Sequence, residues 1–333
     1  MKRHIYLEDI PLEEAQAALA DTLRAAGLAG PLPAETIPVA QAAGRVTAEA
    51  IWARLSSPHY HASAMDGYAL RAQDTVGATE TTPLQLNLVE PGADVRAVDR
   101  PAQEVNTGHP LPAWANAVVM IEHTQPIRDA AGRQTAIAIR AALPPWHHVR
   151  PMGEDMVATE LVLPANHRLR PVDLGALVGS GHTRVPVYRR PRVAVIPTGS
   201  ELIALEAVGD EGPAPGQIVE YNGIVLSAQV TGWGAEAHRL PIVPDQFEAI
   251  RAAVASAAAN HDLVLVNAGS SAGSEDYTAH VVQDLGRLLV HGVAVRPGHP
   301  VIIGMVRAED GREVPLIGVP GYPVSAALTG EIF

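Results

Sequence analysis

Residues 262–285 form the segment that most constrains how this chain can fold. The segment begins with the apolar run DLVLVN, continues with AGSSAGS, and ends with EDYT and a further apolar run. A short β-branched run is typical of a strand buried on both faces of a parallel sheet, and Tyr277, Val281 and Leu285 recur at helical spacing. The sequence therefore predicts a strand, a loop of small residues and a helix.

The loop between that strand and that helix contains only Gly, Ser and Ala. Side chains this small allow a ligand to approach the backbone, and the following helix directs unpaired N–H groups and the positive end of its dipole toward the loop. A phosphate would be stabilised there. The alternative is a plain connection in which Ser274 caps the helix. The candidate ligand-binding residues of the loop are Gly269, Ser270, Ser271, Gly273 and Ser274.

The composition excludes several classes of protein. The 333 residues carry a net charge of -12 and include no cysteine. Disulfides, zinc–thiolate sites and thiol nucleophiles are therefore excluded, and the acidic balance without a basic stripe argues against a nucleic-acid surface. No apolar run approaches the roughly 20 residues of a membrane span, and the N-terminus lacks the apolar core of a signal peptide. We therefore expect a cytoplasmic protein that binds neither nucleic acid nor membrane.

Periodicity along the chain predicts three kinds of structure. Residues 11–26 have the pattern of an amphipathic helix closed by glycine, and residues 42–51 that of a short helix running into a strand. Between residues 68 and 143, short alternating segments separated by turn residues predict a small β barrel or sandwich. From residue 191 onward, strands alternate with helices, which predicts a parallel sheet with helices on both faces.

Three loops of the predicted parallel sheet belong at the carboxyl ends of its strands, where ligands bind in open α/β sheets. These loops are residues 198–201, 268–276 and 318–323, and all are rich in Gly, Ser, Thr and Pro. Three such loops on one rim favour a phosphate-bearing ligand over plain turn chemistry. The further candidate binding residues on this rim are Thr198, Gly199, Pro320, Gly321 and Ser325.

Several carboxylates are candidates for the same rim. Glu201 and Asp276 lie near predicted helix starts, and Glu220 precedes another helix. These carboxylates either complement the helix dipoles, worth roughly 0.3–1 kcal/mol each, or hold a Mg²⁺ ion beside the phosphate. Asp66 and Asp155 are loop carboxylates from other parts of the chain, and each alone is typical of a turn.

An Arg-Pro-Gly-His-Pro element at residues 296–300 offers cationic groups for an oxyanion. Arg296 has the planar fork that binds an oxyanion bidentately. His299 contributes when it is protonated or as a neutral hydrogen-bond donor. Both residues are candidates for contacting an anionic substrate.

Six motifs follow one another along nearly the whole chain. They are SAMDGYA at residues 63–69, TGHPLPAWANAVVM at 107–120, VRPMGEDM at 149–156, PRVAVIPTGSEL at 191–202, GSSAGSED at 269–276 and VPGYPVS at 319–325. Each motif alone is a weak signal, but the ordered set is specific. In this order the motifs resemble those of the MoeA/gephyrin E-domain family, the molybdopterin molybdenumtransferases.

The resemblance implies a multidomain α/β plus β fold. Its expected parts are a split α+β first domain at residues 1–57 and 144–187, a β-barrel-like domain at 58–143, and a parallel α/β molybdopterin-binding domain at 188–333. It also implies an elongated homodimer. The implied reaction converts adenylated molybdopterin and molybdate into molybdenum cofactor and AMP, and Mg²⁺ assists hydrolysis of the adenylyl phosphate.

The family's acidic active-site positions correspond, on these motifs, to Asp66, Asp155, Glu201 and Asp276. The resemblance implies that Mg²⁺ is held by Asp66, Glu201, Glu220 and Asp276. Arg296 would orient the metal oxyanion. In this interpretation the two loop aspartates, which alone are typical turn residues, become catalytic.

The sequence departs from the family's motifs at several positions. Ser200 replaces an acidic residue, Ala268 a glycine and Tyr322 an asparagine, His299 stands where the family has a lysine, and a Glu-Tyr-Asn turn at residues 220–222 replaces Asp-Ser-Asn. The family's C-terminal β domain has no counterpart before the sequence ends at Phe333, inside the last predicted helix. That end leaves open a truncation or a different domain downstream.

Three functions stay open at this point. The first is an enzyme that inserts molybdate, or tungstate in a variant, into adenylated molybdopterin. The second is a carrier or sensor that binds molybdopterin or an oxyanion without turnover, which the departures at Ser200, Ala268 and His299 favour. The third is a dimerising scaffold that holds a peptide, and no feature of the sequence supports it specifically.

Overall fold

The computed structural model describes residues 9–267 and 277–333. Contacts divide the chain into two units, of which one comprises the described part of Met1–Glu35 together with Tyr188–Phe333, and the other Thr36–Val187. Within the described ranges, no helix combines the length and the apolar character needed to cross a bilayer.

The described residues form six α-helices, joined by loops and short 3-10 turns. The helices are α1 (Leu12–Ala25), α2 (Pro171–Gly179), α3 (Asn222–Gly232), α4 (Phe247–Asn260), α5 (Tyr277–Leu285) and α6 (Pro323–Ile332). The helix predicted for residues 11–26 is confirmed as α1. The helical spacing predicted after residue 276 is confirmed as α5.

The strands are short and fall into two six-stranded sheets and several two-stranded pairs. The strands of the first half of the chain are β1 (Ala34–Pro38), β2 (Ile51–Trp52), β3 (Ala62–Ser63), β4 (Gly67–Leu70), β5 (Leu84–Leu88), β6 (Pro101–Val105), β7 (Ala117–Met120), β8 (Thr124–Arg128), β9 (Gln134–Ile139), β10 (Val149–Arg150) and β11 (Leu161–Leu163). The strands of the second half are β12 (Arg184–Tyr188), β13 (Arg192–Pro197), β14 (Leu202–Ile203), β15 (Ile218–Val219), β16 (Glu236–Arg239), β17 (Leu263–Asn267), β18 (Gly286–His291), β19 (Ile302–Arg307) and β20 (Glu313–Val319).

The larger unit is a three-layer α/β fold around a sheet of order β16-β13-β17-β20-β19-β18. Successive residues of a strand face opposite sides of the sheet. Val193 and Val195 accordingly pack with α1, α3 and α6 on one face, whereas Ala194 and Ile196 pack with α4 and α5 on the other. The prediction of helices on both faces is therefore confirmed.

This sheet is mixed rather than wholly parallel. Strands β16, β13, β17 and β20 are parallel, but β19 pairs antiparallel with β20 and β18 antiparallel with β19. The turn between β19 and β20 is too short for the crossover that a parallel pair needs. The prediction of a parallel sheet is confirmed for β16, β13, β17 and β20 and was wrong for β19, and β18 was not predicted.

The smaller unit contains an open sheet of order β7-β4-β6-β5-β9-β8. Its core includes Leu70, Leu86, Val119, Ile137 and Ile139. The strands expected between residues 68 and 143 are present, in a single sheet whose edges are β7 and β8.

A second core of the smaller unit is formed by the chain segments that precede and follow that sheet in sequence. It contains Val39, Ile51, Leu163, Leu177 and Val187. The three-domain division implied by the resemblance stays a prediction.

Helix α1 packs on the sheet of the α/β unit through Ala15 and Leu19.

Residues 42–51 do not form the predicted helix. A 3-10 turn at Val39–Gln41 is followed by turns, and the next regular element is β2. Gly44 has φ of +75°, in the left-handed region that glycine favours. The backbone N–H of Thr47 donates to the His167 carbonyl at 3.0 Å, and its hydroxyl donates to the Pro164 carbonyl at 2.8 Å. Pairing with residues distant in sequence thus replaces the local helix.

Candidate functional site

A cleft of about 210 Å³ opens at the carboxyl edge of the parallel strands in the α/β unit. Strands β13, β17 and β20 all end there, which is where open α/β sheets bind ligands. The cleft is lined by Thr198, Glu201, Leu202, Ile218, Val219, Glu220, Tyr221, Asn222, Asn267, Gly321, Tyr322 and Pro323.

Hydrogen bonds tie the three strand ends together in this cleft. The backbone N–H and the hydroxyl of Thr198 both donate to the Asn267 carbonyl, at 3.0 and 3.1 Å. The side-chain amide of Asn222 donates to the Gly321 carbonyl at 2.7 Å and lies 3.4 Å from the Asn267 side-chain oxygen. The described part of the rim is therefore pre-organised, because Thr198 is held by the end of β17 and Gly321 by the start of α3.

Glu220 is the most buried carboxylate of the cleft, with 3% of its surface exposed. One of its oxygens accepts the Gly223 backbone N–H at 2.6 Å. The other lies 3.4 Å from the Arg239 guanidinium. Glu220 therefore accepts a hydrogen bond at the N-terminus of α3 and pairs with Arg239, whose side chain is one-third exposed. Gly223 fits because a side chain there would meet the carboxylate at 2.8 Å.

Glu201 lines the same cleft and is half-buried. Its carboxylate accepts no hydrogen bond from the described residues, whereas its backbone carbonyl accepts the Ile218 N–H at 3.0 Å and so holds β14 beside β15. Across residues 9–267 and 277–333, no three Asp, Glu or His side chains converge as a metal site. The predicted Mg²⁺ ligands therefore stay a prediction.

Two of the predicted binding residues line this cleft, and three others lie near them in sequence. Thr198 and Gly321 line it, and Gly199 is held by its N–H to the Val243 carbonyl at 3.1 Å. Pro320 is buried directly after β20, and Ser325 is buried in the first turn of α6. The predicted loop residues Gly269, Ser270, Ser271, Gly273, Ser274 and Asp276 lie outside the described residues.

Arg296 and His299 are not among the residues that line the cleft. Arg296 is exposed. The His299 carbonyl accepts the N–H groups of Val293 and Val301, at 2.9 and 2.8 Å, which fixes the backbone of this turn. The imidazole lies 3.5 Å from the Asp9 carboxylate. Their predicted contact with an oxyanion stays a prediction.

Asp66 belongs to the smaller unit, where it precedes β4. The backbone N–H and the hydroxyl of Thr107 both donate to its carboxylate, at 2.7 and 3.0 Å. These bonds hold the pKa of Asp66 below its usual range, so that the exposed carboxylate is anionic at neutral pH. The next residue, Gly67, has no room for a side chain, because a β-carbon there would lie 1.9 Å from the Val119 carbonyl oxygen.

Asp155 is an exposed carboxylate in another loop of the smaller unit. Its backbone N–H donates to the Ser57 carbonyl at 2.9 Å. The Arg150 guanidinium lies 3.5 Å from its carboxylate and donates to Glu154 at 3.0 Å. The backbone of this loop is thus fixed by a hydrogen bond, and Arg150 is shared by the carboxylates of Glu154 and Asp155.

Sequence reasoning missed several residues of the cleft region, and four of them carry polar side chains. Asn222 and Tyr221 stand in the Glu-Tyr-Asn turn that the motif comparison singled out, and Asn267 is the last residue of a predicted strand, so a signal existed for these three. Arg239 lies on the edge strand β16 outside any motif, and nothing in the sequence indicated its partner.

Comparison with known proteins shows which families the sequence and the fold resemble. The sequence matches the MoeA N-terminal region, domains I and II, over residues 10–181, and a probable molybdopterin binding domain over residues 194–333. A structure of the molybdopterin biosynthesis MoeA protein from Pyrococcus horikoshii is similar, with a TM-score of 0.76 at 30% identity. That similarity covers 98% of this chain and 78% of that chain.

Two curated relatives are similar over most of their length. Molybdopterin molybdenumtransferase 2 of Mycobacterium tuberculosis is 35% identical over 337 residues, or 97% of this chain and 77% of that protein. A putative molybdopterin biosynthesis protein of Methanocaldococcus jannaschii is 33% identical over 301 residues, or 89% of this chain and 72% of that protein.

The fold defines an α/β protein with a cleft at the carboxyl edge of its sheet, and the chain also contains a β-rich unit. The chain belongs to the MoeA family. It is an enzyme of the transferase class, as are its curated relatives.

Proposed function

We propose that this enzyme completes molybdenum cofactor by transferring molybdenum from molybdate to adenylated molybdopterin, with release of AMP. The observation that carries the proposal is the pre-organised cleft at the ends of β13, β17 and β20, in a chain that belongs to the MoeA family. The relatives named molybdopterin molybdenumtransferase support the same reaction.

The proposed reaction balances without a redox partner. Water attacks the adenylyl phosphorus, the P–O bond to the pterin phosphate breaks, and AMP leaves. The two thiol groups of molybdopterin lose their protons as their sulfurs replace two oxygens of molybdate. Those two protons and two more from solvent convert the displaced oxygens to two water molecules. The sulfur ligands come from the substrate, which is consistent with a chain that contains no cysteine.

The chain's residues have three roles in this proposal. The backbone around Gly199 and Gly321 binds the phosphate-bearing part of the substrate, because glycine allows close approach. Thr198 holds the end of β13 against Asn267. Asn222 keeps the two loops at a fixed separation. Asp66 and Asp155 are proposed to be required for turnover, on the strength of the family motifs that contain them.

The described part of the cleft does not by itself fit a magnesium site. Glu201 offers one carboxylate, but both oxygens of Glu220 are engaged by Gly223 and Arg239. No step of the proposal is therefore routed through the ion. A Mg²⁺ requirement stays a prediction, and titration of turnover with Mg²⁺ is its test.

The proposal is tested by incubating the protein with adenylated molybdopterin and molybdate and measuring AMP. We expect AMP release that depends on molybdate and is abolished by Asp66→Asn. Retained molybdopterin binding without AMP release would instead support the carrier or sensor function. Replacing molybdate with tungstate in the same assay identifies the preferred oxyanion, and an Arg296→Ala variant should require more of it.

The proposed assembly is a homodimer, as the resemblance implies. Sedimentation of the purified protein tests it directly. A monomer that retains AMP release would show that turnover does not depend on a second copy.

A further inference from the structure

The cleft carries two exposed tyrosines, Tyr221 and Tyr322. Their exposed fractions are 39% and 62%. Aromatic residues make up only 4% of the sequence, so two of them on one cleft are a local enrichment. Exposed tyrosines at a concave site are typical of ligand contact, because the ring offers a rigid apolar face at low entropic cost.

The two tyrosines occupy equivalent places in the fold. Tyr221 is the N-cap residue of α3 and Tyr322 that of α6. The hydrogen bond from Asn222 to the Gly321 carbonyl joins the residues next to them. The rings therefore flank the point at which the two loops are tied together.

Both tyrosines also stand where this sequence departs from its family's motifs. Tyr322 replaces an asparagine, and Tyr221 replaces a serine of the Asp-Ser-Asn turn. Two separate motifs have thus each gained a ring, and the fold brings both rings to one cleft of about 210 Å³.

We propose that Tyr221 and Tyr322 form an aromatic rim that packs against the planar heterocycle of the substrate. This inference rests on the proposed function, in which the substrate contains two such rings, a pterin and an adenine, each joined to a phosphate. The shared chemistry is a flat π-system with an attached anion. The tyrosines thereby determine how tightly the ring end of the substrate is held.

The charges of the cleft indicate how such a ligand lies. Glu220 already accepts the first-turn N–H of Gly223, so its carboxylate repels an anion from the N-terminus of α3. Helix α6 has a proline at its start and no acidic residue in its first turn. The anionic group is therefore accommodated on the α6 side, and the ring extends along the tyrosine rim.

Calorimetric titration with three probes tests the rim. AMP carries adenine and phosphate, pterin-6-carboxylate carries the pterin ring and an anion, and ribose 5-phosphate carries an anion without an aromatic ring. We expect Tyr221→Ser/Tyr322→Asn to raise the Kd of at least one ring-bearing probe by about tenfold or more. The Kd of ribose 5-phosphate should not change.

Two further variants separate stacking from other effects. Tyr221→Phe/Tyr322→Phe retains both rings, so it should bind the ring-bearing probes as the unaltered protein does. Val324→Asn changes an exposed residue of the same helix turn that does not line the cleft, and it should leave every Kd unchanged. A loss with AMP alone identifies the adenine as the packed ring, and a loss with the pterin alone identifies the pterin.

The proposed stacking is refuted if Tyr221→Ser/Tyr322→Asn binds both ring-bearing probes with the Kd of the unaltered protein. It is also refuted if the Kd of ribose 5-phosphate rises as much as that of the ring-bearing probes. Turnover separates this failure from failure of the proposed function. AMP release with an unchanged KM in the same variant removes the rim and leaves the function intact. Absence of AMP release from the unaltered protein removes the function, while the three-probe titration still decides whether the tyrosines bind a ring.

Discussion

The side-chain amide of Asn222 donates a 2.7 Å hydrogen bond to the backbone carbonyl of Gly321. This contact joins the start of α3 to the loop after β20, two segments separated by about a hundred residues of sequence. Asn222 is buried, with 6% of its surface exposed. One amide thus holds two walls of the cleft at a fixed distance.

Replacing Asn222 with aspartate keeps the shape of the side chain but removes the donor. A buried carboxylate would then face the Gly321 carbonyl, which can only accept a hydrogen bond, and this contact becomes repulsive. We expect AMP release to fall by about tenfold or more. Asn260→Asp makes the same chemical change at an exposed position of α4 and should leave turnover unchanged. Equal activity in both variants would contradict the structural role of Asn222.

The sequence was informative wherever local pattern decides the structure. The alternation of strands and helices after residue 191 follows from apolar periodicity, and Thr198 and Gly321 reach one cleft because parallel strands end on one edge. The sequence was silent where distant residues decide. Thr47 leaves the helical pattern because it bonds to His167 and Pro164, and no local signal names those partners.

The ion pair between Glu220 and Arg239 should be strongly coupled. Arg239→Ala leaves a buried carboxylate with only its Gly223 hydrogen bond, and we expect a loss of about 1–2 kcal/mol in the free energy of unfolding, because the arginine is partly screened by solvent. Glu220→Gln/Arg239→Ala should recover part of that loss, since no buried charge remains. Urea unfolding of the two single variants and the double variant measures the coupling.

Additive losses in that cycle would show that the two residues are not coupled. Turnover of Glu220→Gln at varied Mg²⁺ provides a second readout. If Glu220 only caps α3, the Glu220→Gln variant needs the same Mg²⁺ concentration as the unaltered protein. If Glu220 binds the ion, the variant needs more Mg²⁺.

Thr107 should determine the pH below which kcat/KM declines, because it donates hydrogen bonds to the Asp66 carboxylate. The Thr107 backbone N–H and hydroxyl lower the pKa of the Asp66 carboxyl, so Thr107→Val, which keeps only the N–H, should raise that pKa. If the aspartate acts as an anion, AMP release by the variant should decline at a higher pH than in the unaltered protein. The measurement is the pH profile of kcat/KM. Thr107→Ser keeps the hydroxyl and should restore the profile, and an acidic limb that does not move in Thr107→Val would contradict this role.

Asp173 should make the stability of the smaller unit depend on pH. It is 4% exposed, and hydrogen bonds from the Arg170 side chain hold its pKa well below the ordinary range although burial raises it, with His167 adding a further contact at 2.7 Å. A depressed folded-state pKa contributes stability that is present above the unfolded value of about 4 and is lost as the pH falls further.

Asp173→Asn should therefore lower the free energy of unfolding by about 1–3 kcal/mol at pH 7, because it removes the charge that Arg170 and the cap of α2 require. The difference between variant and unaltered protein should shrink below about pH 4, where the unfolded aspartate binds a proton. Asp94→Asn removes an exposed partner of Arg96 and should have little effect at either pH, since exposed pairs contribute little. Urea unfolding at pH 7 and pH 3 measures both variants, and a loss in Asp173→Asn of the same size at the two pH values would show that the carboxylate's charge is not the cause.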